Sequence, residues 1–201
     1  MTKPKPAGII LAAGESSRMG ADKALLSYGG STFLEHLIGL FLPRVEPVVV
    51  VLGHHADEIR AAVGPRPGLE IIVNTQYQAG QLSSLQAGLR ALPAAAPAAL
   101  LTLVDHPAVA AATLDAMLER FTAAASALLI PRYRARRGHP VLLGRALLEE
   151  ILALPVSASA KQVIHAHLGE AVFLDVDDPG VAQDIDTPAD YGSLVERRGG
   201  A

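Results

Sequence analysis

A chain of 201 residues is long enough for one α/β domain with a full core and too short for two. Its formal net charge of −3 argues against a general nucleic-acid or membrane-surface binder, and no segment approaches the ~20 apolar residues of a membrane span. Because the chain has no cysteine, it has no disulfide, thiol nucleophile or thiolate metal site. We expect a cytoplasmic protein with a single domain over residues 1–201.

Apolar runs of strand length alternate with segments of helical period along the chain. In chain order they predict a strand at Gly8–Ala13, a helix at Thr32–Leu42, a strand at Pro47–Leu52, a helix at His55–Val63, a strand at Leu69–Val73, a helix at Gln81–Leu92, a strand at Ala98–Val104, a helix at Val109–Phe121, strands at Ala127–Pro131 and Pro140–Leu143, helices at Arg145–Leu154 and Lys161–Leu168, a strand at Ala171–Val176 and a helix at Thr187–Glu196. This alternation predicts an α/β fold with a mostly parallel sheet covered on both faces. Ligands of such sheets bind outside the carboxyl ends of the strands.

The first predicted strand ends in a loop of small and basic residues, Gly14–Lys23. Small residues let a ligand approach the main chain, and consecutive amide groups form an anion-binding concavity. Arg18 and Lys23 add two positive charges, which favours a polyphosphate ligand. The spacing of the glycines fits neither the P-loop nor the dinucleotide-binding pattern. An ordinary strand-to-loop junction with surface cations is the alternative.

Two carboxylates are candidate ligands of a hard cation. Asp105 directly follows the predicted strand Ala98–Val104, and Asp186 precedes the last predicted helix. Proteins commonly hold Mg²⁺ with one or two carboxylates together with substrate phosphates. Either aspartate could instead cap only a turn or a helix, and His106 could be a metal ligand, a base or a plain loop residue.

Two further segments carry polar side chains that could face a ligand. Gln81, Ser83 and Ser84 lie at the start of a predicted helix, where they could contact a nucleobase or cap the helix. The arginines of Arg132–Arg136 are typical of a solvated turn. His139 is more unusual, because it lies between a glycine and a proline at the start of a predicted strand.

Taken together and in order, these segments resemble the MobA-like nucleotidyltransferases, most closely the molybdenum cofactor cytidylyltransferases. The resemblance spans nearly the whole chain and rests on the following motifs, with x for any residue: Leu11-Ala12-Ala13-Gly14-x-Ser16-x-Arg18-Met19-Gly20-x-x-Lys23-x-Leu25-Leu26, Gly80-Gln81-x-x-Ser84-Leu85-x-x-Gly88, Asp105-x-Pro107, Arg137-Gly138-His139-Pro140 and Asp184-Ile185-Asp186-Thr187-Pro188. The run Leu11–Gly14 resembles the cytidylyl form, since guanylyl relatives tend to carry two glycines there.

The resemblance implies a single Rossmann-like, three-layer α/β domain of the nucleotide-diphospho-sugar transferase type. It implies transfer of CMP from CTP to the phosphate of a molybdopterin-type acceptor, with release of pyrophosphate and with Mg²⁺ as cofactor. The nucleotide-binding residues it implies are Leu11, Ala12, Ala13, Gly14, Arg18, Lys23, Gln81 and Ser84. Arg18, Lys23 and Asp105 are the implied catalytic residues. The implied metal ligands are Asp105 and Asp186, and His139 is the implied acceptor-binding residue.

Two other interpretations stay open. The chain could be a guanylyl or other nucleotidyltransferase on the same scaffold. It could also be a non-catalytic nucleotide- and cofactor-binding maturation factor that hands cofactor to a recipient molybdoenzyme. Paired metal carboxylates favour an enzyme over a pure binder. No nucleic-acid or membrane partner is expected.

Overall fold

A computed structural model describes residues 5–123 and 127–199, which form a three-layer α/β/α architecture. The strands are β1 (Ala7–Ala12), β2 (Ser27–Tyr28), β3 (Ser31–Thr32), β4 (Val48–Leu52), β5 (Leu69–Val73), β6 (Ala98–Leu103), β7 (Leu128–Tyr133), β8 (Arg136–Arg137), β9 (Val141–Gly144) and β10 (Val172–Asp175). The helices are α1 (Phe33–Phe41), α2 (Ala56–Val63), α3 (Gln81–Ala91), α4 (Ala111–Ala123), α5 (Arg145–Ala153), α6 (Ala160–Ala166) and α7 (Pro188–Gly199). Short 3-10 helices occupy Lys23–Leu25, Tyr77–Ala79 and Pro179–Ala182.

One mixed sheet carries the fold, with strand order β10-β7-β9-β6-β1-β4-β5 and with β8 paired to β7. β1 lies parallel to β4 and β6, and β5 and β10 are also parallel to their neighbours. The predicted α/β class with a mostly parallel sheet is therefore confirmed. The departure is β9, which runs antiparallel to both β6 and β7. A short connection after β7 allows an antiparallel return but not a crossover.

The side chains of β1 alternate between the two faces of the sheet, as the pleat requires. Ile10 packs with α1, α2 and α4 on one face, and Ile9 and Leu11 pack with α3, α5 and α6 on the other. A Cβ atom at Gly8 would lie 2.8 Å from the Phe41 ring, so this glycine lets α1 approach the central strand closely. Both faces are thus buried, and ligand access is left to the strand ends.

The predicted helices and long strands are all present, with ends that differ by up to three residues, the most at the end of α7. Another difference is at α4, which starts at Ala111 rather than at Val109. The carboxylate of buried Asp178 accepts hydrogen bonds from the Ala110 amide at 2.8 Å and from the Thr113 hydroxyl at 2.7 Å. A residue far along the chain therefore shapes this helix start. The two-residue strands β2, β3 and β8 were not predicted.

The segment Pro179–Ala182 packs tightly against the backbone near Ala108 and near Gly138. The His139 amide donates a hydrogen bond of 2.8 Å to the Val181 carbonyl. A Cβ atom at Gly138 would lie only 1.8 Å from that same carbonyl oxygen, and one at Gly180 would lie 2.2 Å from the Ala108 carbonyl oxygen. The backbone of Pro179–Ala182 is therefore wedged between two neighbouring segments, next to the residues that lead to Asp186.

No helix in residues 5–123 and 127–199 is both long and apolar enough to cross a membrane. The extent of the domain, residues 1–201, stays a prediction.

The Gly138→Ala substitution should destabilise the protein by about 2–4 kcal/mol, because a backbone carbonyl must move to admit the methyl group. The matched control is Gly39→Ala in α1, where a Cβ atom meets nothing within 4 Å. That change should stabilise the helix by roughly 0.5–1 kcal/mol. Urea unfolding of both variants measures the difference. Equal stability of Gly138→Ala and wild type would contradict this tight packing.

Candidate active site

A cavity of about 310 Å³ opens at the carboxyl ends of β1 and β6. The sequence-predicted nucleotide-binding, catalytic and metal-ligating residues all line it, namely Leu11, Ala12, Ala13, Gly14, Arg18, Lys23, Gln81, Ser84, Asp105 and Asp186. Tyr77 and the β6 end, Leu103 and Val104, complete the wall. Residues from both ends of the chain thus meet at the edge where the rule for parallel sheets places a ligand.

The loop after β1 folds back on itself through Ser16. The Ser16 carbonyl accepts hydrogen bonds from the Met19 amide at 2.9 Å and the Gly20 amide at 3.2 Å. Its hydroxyl accepts from the Lys23 amide at 3.2 Å. Ser16 and Gly20 both adopt positive φ angles, of 51° and 74°. This turn returns the chain to the cavity, so that Lys23 points into it.

Lys23 joins the two predicted metal carboxylates. Its ammonium nitrogen lies 2.5 Å from Asp186 Oδ1 and 3.3 Å from Asp105 Oδ2, and its side chain is only 10% exposed. Arg18 reaches Asp186 Oδ2 at 2.8 Å from a side chain that is 71% exposed. The Lys23 hydrogen bond, aided by the charge of Arg18, holds the pKa of Asp186 below its ordinary value. Two cations therefore balance two anions in one cluster.

Backbone hydrogen bonds bring the two aspartates together. The Val104 amide donates to the Leu11 carbonyl at 3.0 Å, and the Ile185 amide donates to the Asp105 carbonyl at 2.9 Å. α7 then begins under a cap, because Asp190 Oδ2 accepts from the Thr187 amide at 2.8 Å. The Asp190 amide in turn donates to the Thr187 hydroxyl at 3.3 Å, so the two side chains cap the helix reciprocally.

Asn74, which the sequence analysis missed, supports the cavity wall through Ser84. It is buried, and its amide nitrogen donates to the Ser83 and Ser84 hydroxyls at 2.9 and 3.0 Å. These bonds fix the first turn of α3, whose first residue, Gln81, lies exposed at the cavity. Asn74 directly follows β5, so the strand-end rule that singled out Asp105 would also have found it.

A second cavity of about 650 Å³ adjoins the first, and Leu11, Gln81 and Leu103 line both. His139 lies here and not in the smaller cavity. Its ring is 4.8 Å from that of His106, which lines the same space. Burial lowers the pKa of His139 to about 3, with a further contribution from His106, and burial also lowers the pKa of His106. Both imidazoles are therefore neutral at neutral pH.

Cations border the second cavity. Arg136, Arg137 and Lys161 all line it. The interpretation of the arginine run as a solvated turn is therefore incomplete for Arg136, which lies in β8 and faces this space. Arg132 instead pairs with Asp175 at 2.8 Å on the surface. The cavity thus combines a basic border with two neutral histidines, a combination suited to an anionic small molecule.

Comparisons with known proteins identify a family that matches most of the chain. The model of the MobA-like NTP transferase domain matches residues 8–172. The molybdenum cofactor cytidylyltransferase of Escherichia coli K12 is 27% identical over 189 residues, which are 94% of this chain and 95% of the relative. A probable molybdenum cofactor guanylyltransferase of Mycobacterium marinum is 31% identical over 197 residues, 94% and 92% of the two chains.

Solved structures share the fold. The crystal structure of Rv0371c from Mycobacterium tuberculosis H37Rv matches with a TM-score of 0.83 and 29% identity, over 97% of this chain and all of that one. A structure of the same protein in complex with manganese matches with a TM-score of 0.78.

The fold and the family match are those of a nucleotidyltransferase. The chain belongs to the MobA-like NTP transferase family, which confirms the resemblance found in the sequence.

The neutral state of His139 predicts how stability changes with pH. Below a pH of about 6.5 this histidine is protonated in the unfolded chain, whereas in the folded chain it stays neutral down to a pH of about 3. The free energy of unfolding therefore falls as the pH falls through this range. In His139→Gln the free energy of unfolding should depend less steeply on pH, by up to about 1.4 kcal/mol per pH unit. Urea unfolding at about pH 7 and about pH 5 measures the slope, with the exposed His165→Gln as control. Identical slopes for wild type and His139→Gln would show that His139 is not held neutral.

Proposed function

We propose that the protein transfers CMP from CTP to the phosphate of a molybdopterin-type acceptor and releases pyrophosphate. The observation that carries this proposal is the Lys23 ammonium, held between Asp105 and Asp186 at the wall of the smaller cavity. The smaller cavity has the cations that a triphosphate needs, and the larger one has a basic border for an anionic acceptor. The names of the E. coli and mycobacterial relatives support the choice of acceptor.

The smaller cavity is suited to the triphosphate. Its wall at Leu11–Gly14 is buried as far as Ala13 and has only small residues after Leu11, so a phosphate chain can lie close to the main chain. Arg18 is exposed enough to turn from Asp186 toward a bound ligand, whereas Lys23 is fixed. The two cations would neutralise the charge that develops on the leaving pyrophosphate, which is the main demand of this reaction.

The proposal that the nucleobase is cytosine rests on Ala12 and Ala13. Both line the smaller cavity, and their methyl groups occupy space in it that glycines would leave open. A narrower cavity favours the smaller pyrimidine ring, and Gln81 and Ser84 lie where they could hydrogen-bond to its edge. GTP is the second candidate, because the M. marinum relative, at 31% identity, is named a guanylyltransferase.

The donor set fits a magnesium ion. Carboxylate oxygens are the ligands that Mg²⁺ prefers. Asp105 Oδ1 is shielded from solvent and lacks a hydrogen-bond partner among the described residues. A buried acceptor without a donor is costly, and a cation would satisfy it. Asp105 and Asp186 would hold the ion, which when bound supplies Lewis-acid polarisation of phosphate oxygens.

The reaction requires the protein to orient the two reactants more than it requires proton transfer. An oxygen of the acceptor phosphate forms a bond to the α-phosphorus of CTP. The bond from that phosphorus to the bridging oxygen breaks, and its electron pair leaves with pyrophosphate. Because the attacking oxygen is already anionic, no strong general base is needed. The two cavities would hold both reactants at their shared wall, which turns a bimolecular step into one within a complex.

The acceptor would lie in the larger cavity. At about 650 Å³ this space is within the usual range for small-molecule sites. Arg136, Arg137 and Lys161 would attract the anionic acceptor, and neutral His139 would offer a hydrogen bond to its polar ring atoms. A cytoplasmic location stays a prediction, as does a recipient molybdoenzyme.

A screen of the four ribonucleoside triphosphates tests the base assignment. With magnesium and a molybdopterin acceptor, CTP should support pyrophosphate release at a rate at least about tenfold above GTP, the discrimination that ~1.4 kcal/mol provides. Ala12→Gly combined with Ala13→Gly should reduce that preference. A preference of the wild type for GTP would overturn the cytidylyl proposal and leave the guanylyl one.

The carboxylate pair should be essential for turnover. Asp105→Asn and Asp186→Asn should each lower kcat by at least about 100-fold, because each removes a charge from the reaction centre. Asp175→Asn, which changes only a surface pair with Arg132, is the matched control and should keep wild-type turnover. Circular dichroism verifies the fold of each variant. Full activity of either site variant would remove that residue from the proposed centre.

A further inference from the structure

Three side chains with metal-ligating atoms meet outside the carboxylate pair. Asp22 comes directly before Lys23, while His54 and His55 follow β4 and lead into α2. The ligand atoms of the three residues all lie within 4.8 Å of one another. Their side chains range from 13% exposed for Asp22 to 54% for His55, so an ion could enter from solvent.

The carboxylate of Asp22 faces both imidazoles. Its Oδ2 lies 2.7 Å from His55 Nδ1, and its Oδ1 lies 3.5 Å from His54 Nδ1. The two rings stack with their centroids 3.7 Å apart. Each Nδ1 is therefore directed toward the same carboxylate group, and an ion between them would meet two nitrogens and one oxygen.

His54 contributes to this cluster a ring nitrogen, Nδ1, that is shielded from solvent and makes no hydrogen bond to the described residues. A buried polar atom without a partner is costly, and such an atom in a native structure calls for an explanation. The short contact of Asp22 is made to His55 instead, so the carboxylate alone does not satisfy both rings.

We propose that Asp22, His54 and His55 form a second cation site, which takes a transition-metal dication of the zinc class. Imidazole nitrogen with one carboxylate suits Zn²⁺ and its neighbours, whereas Mg²⁺ favours oxygen ligands alone. Three protein ligands leave the remaining position to water. The site is separate from Asp105 and Asp186, which offer only oxygen.

An ion in this site would connect two loops that shape the nucleotide cavity. Asp22 is the neighbour of Lys23, and the His54 amide already donates to the Ala13 carbonyl at 3.2 Å. A Cβ atom at Gly53 would lie 2.7 Å from both that carbonyl oxygen and the Tyr77 side chain, so the loop is packed tightly here. The ion would therefore stiffen the segment that carries Lys23.

Calorimetric titration of the tag-free protein with zinc chloride alone tests the proposal. Wild type should bind one zinc ion at this cluster, and His54→Gln should weaken that binding at least about tenfold. His55→Asn should do the same, and asparagine is chosen because it tolerates the positive φ of 48° at this position. His167→Gln is the matched control: its imidazole contacts Glu150 on another part of the surface, and binding should be unchanged.

Asp186→Asn separates the two sites, because zinc held by the carboxylate pair would be lost in that variant and zinc held by the histidines would be kept. Cobalt(II) gives a second measurement through its visible absorption bands, which should weaken in both histidine variants. Unchanged zinc affinity in His54→Gln and His55→Asn would overturn the proposal, as would the absence of saturable binding by wild type up to millimolar zinc.

Discussion

The structure depends on the buried ammonium group of Lys23. With 10% of its side chain exposed, it needs anionic partners, and it finds them in Asp105 and Asp186. These partners come from the end of β6 and from the segment before α7, so one charge ties the first loop of the chain to its middle and its C-terminal part. Removing one member of such a cluster leaves the others uncompensated. Structure and proposed chemistry therefore rest on the same contacts.

Two adjoining cavities would each bind one of the two reactants. The smaller one has small residues and two cations, and the larger one has a basic border with two histidines that burial keeps neutral. Lys23, Arg18 and the two aspartates supply the charges of the smaller cavity. An incoming triphosphate would compete with the aspartates for the exposed Arg18 before it disturbs Lys23, which is held on two sides.

Much of this arrangement could be predicted from the sequence, because strand-end positions in a parallel sheet converge. That rule placed Lys23, Asp105 and Gln81 around one cavity. It did not place His139, because this residue lies at the start of β9, which runs antiparallel to its neighbours. The cluster of Asp22 with His54 and His55 follows the neighbouring parallel strands β1 and β4, so the same rule could have predicted it. Asn74 was within reach of the rule and was overlooked.

A crystal structure with a non-hydrolysable CTP analogue and magnesium tests the central claim most directly. We expect the triphosphate to lie in the smaller cavity, against Leu11–Gly14 and within reach of Arg18 and Lys23. The nucleobase should lie toward Gln81. The larger cavity should remain free for the acceptor. A nucleotide bound in the larger cavity, or one that makes no contact with Lys23, would contradict the account.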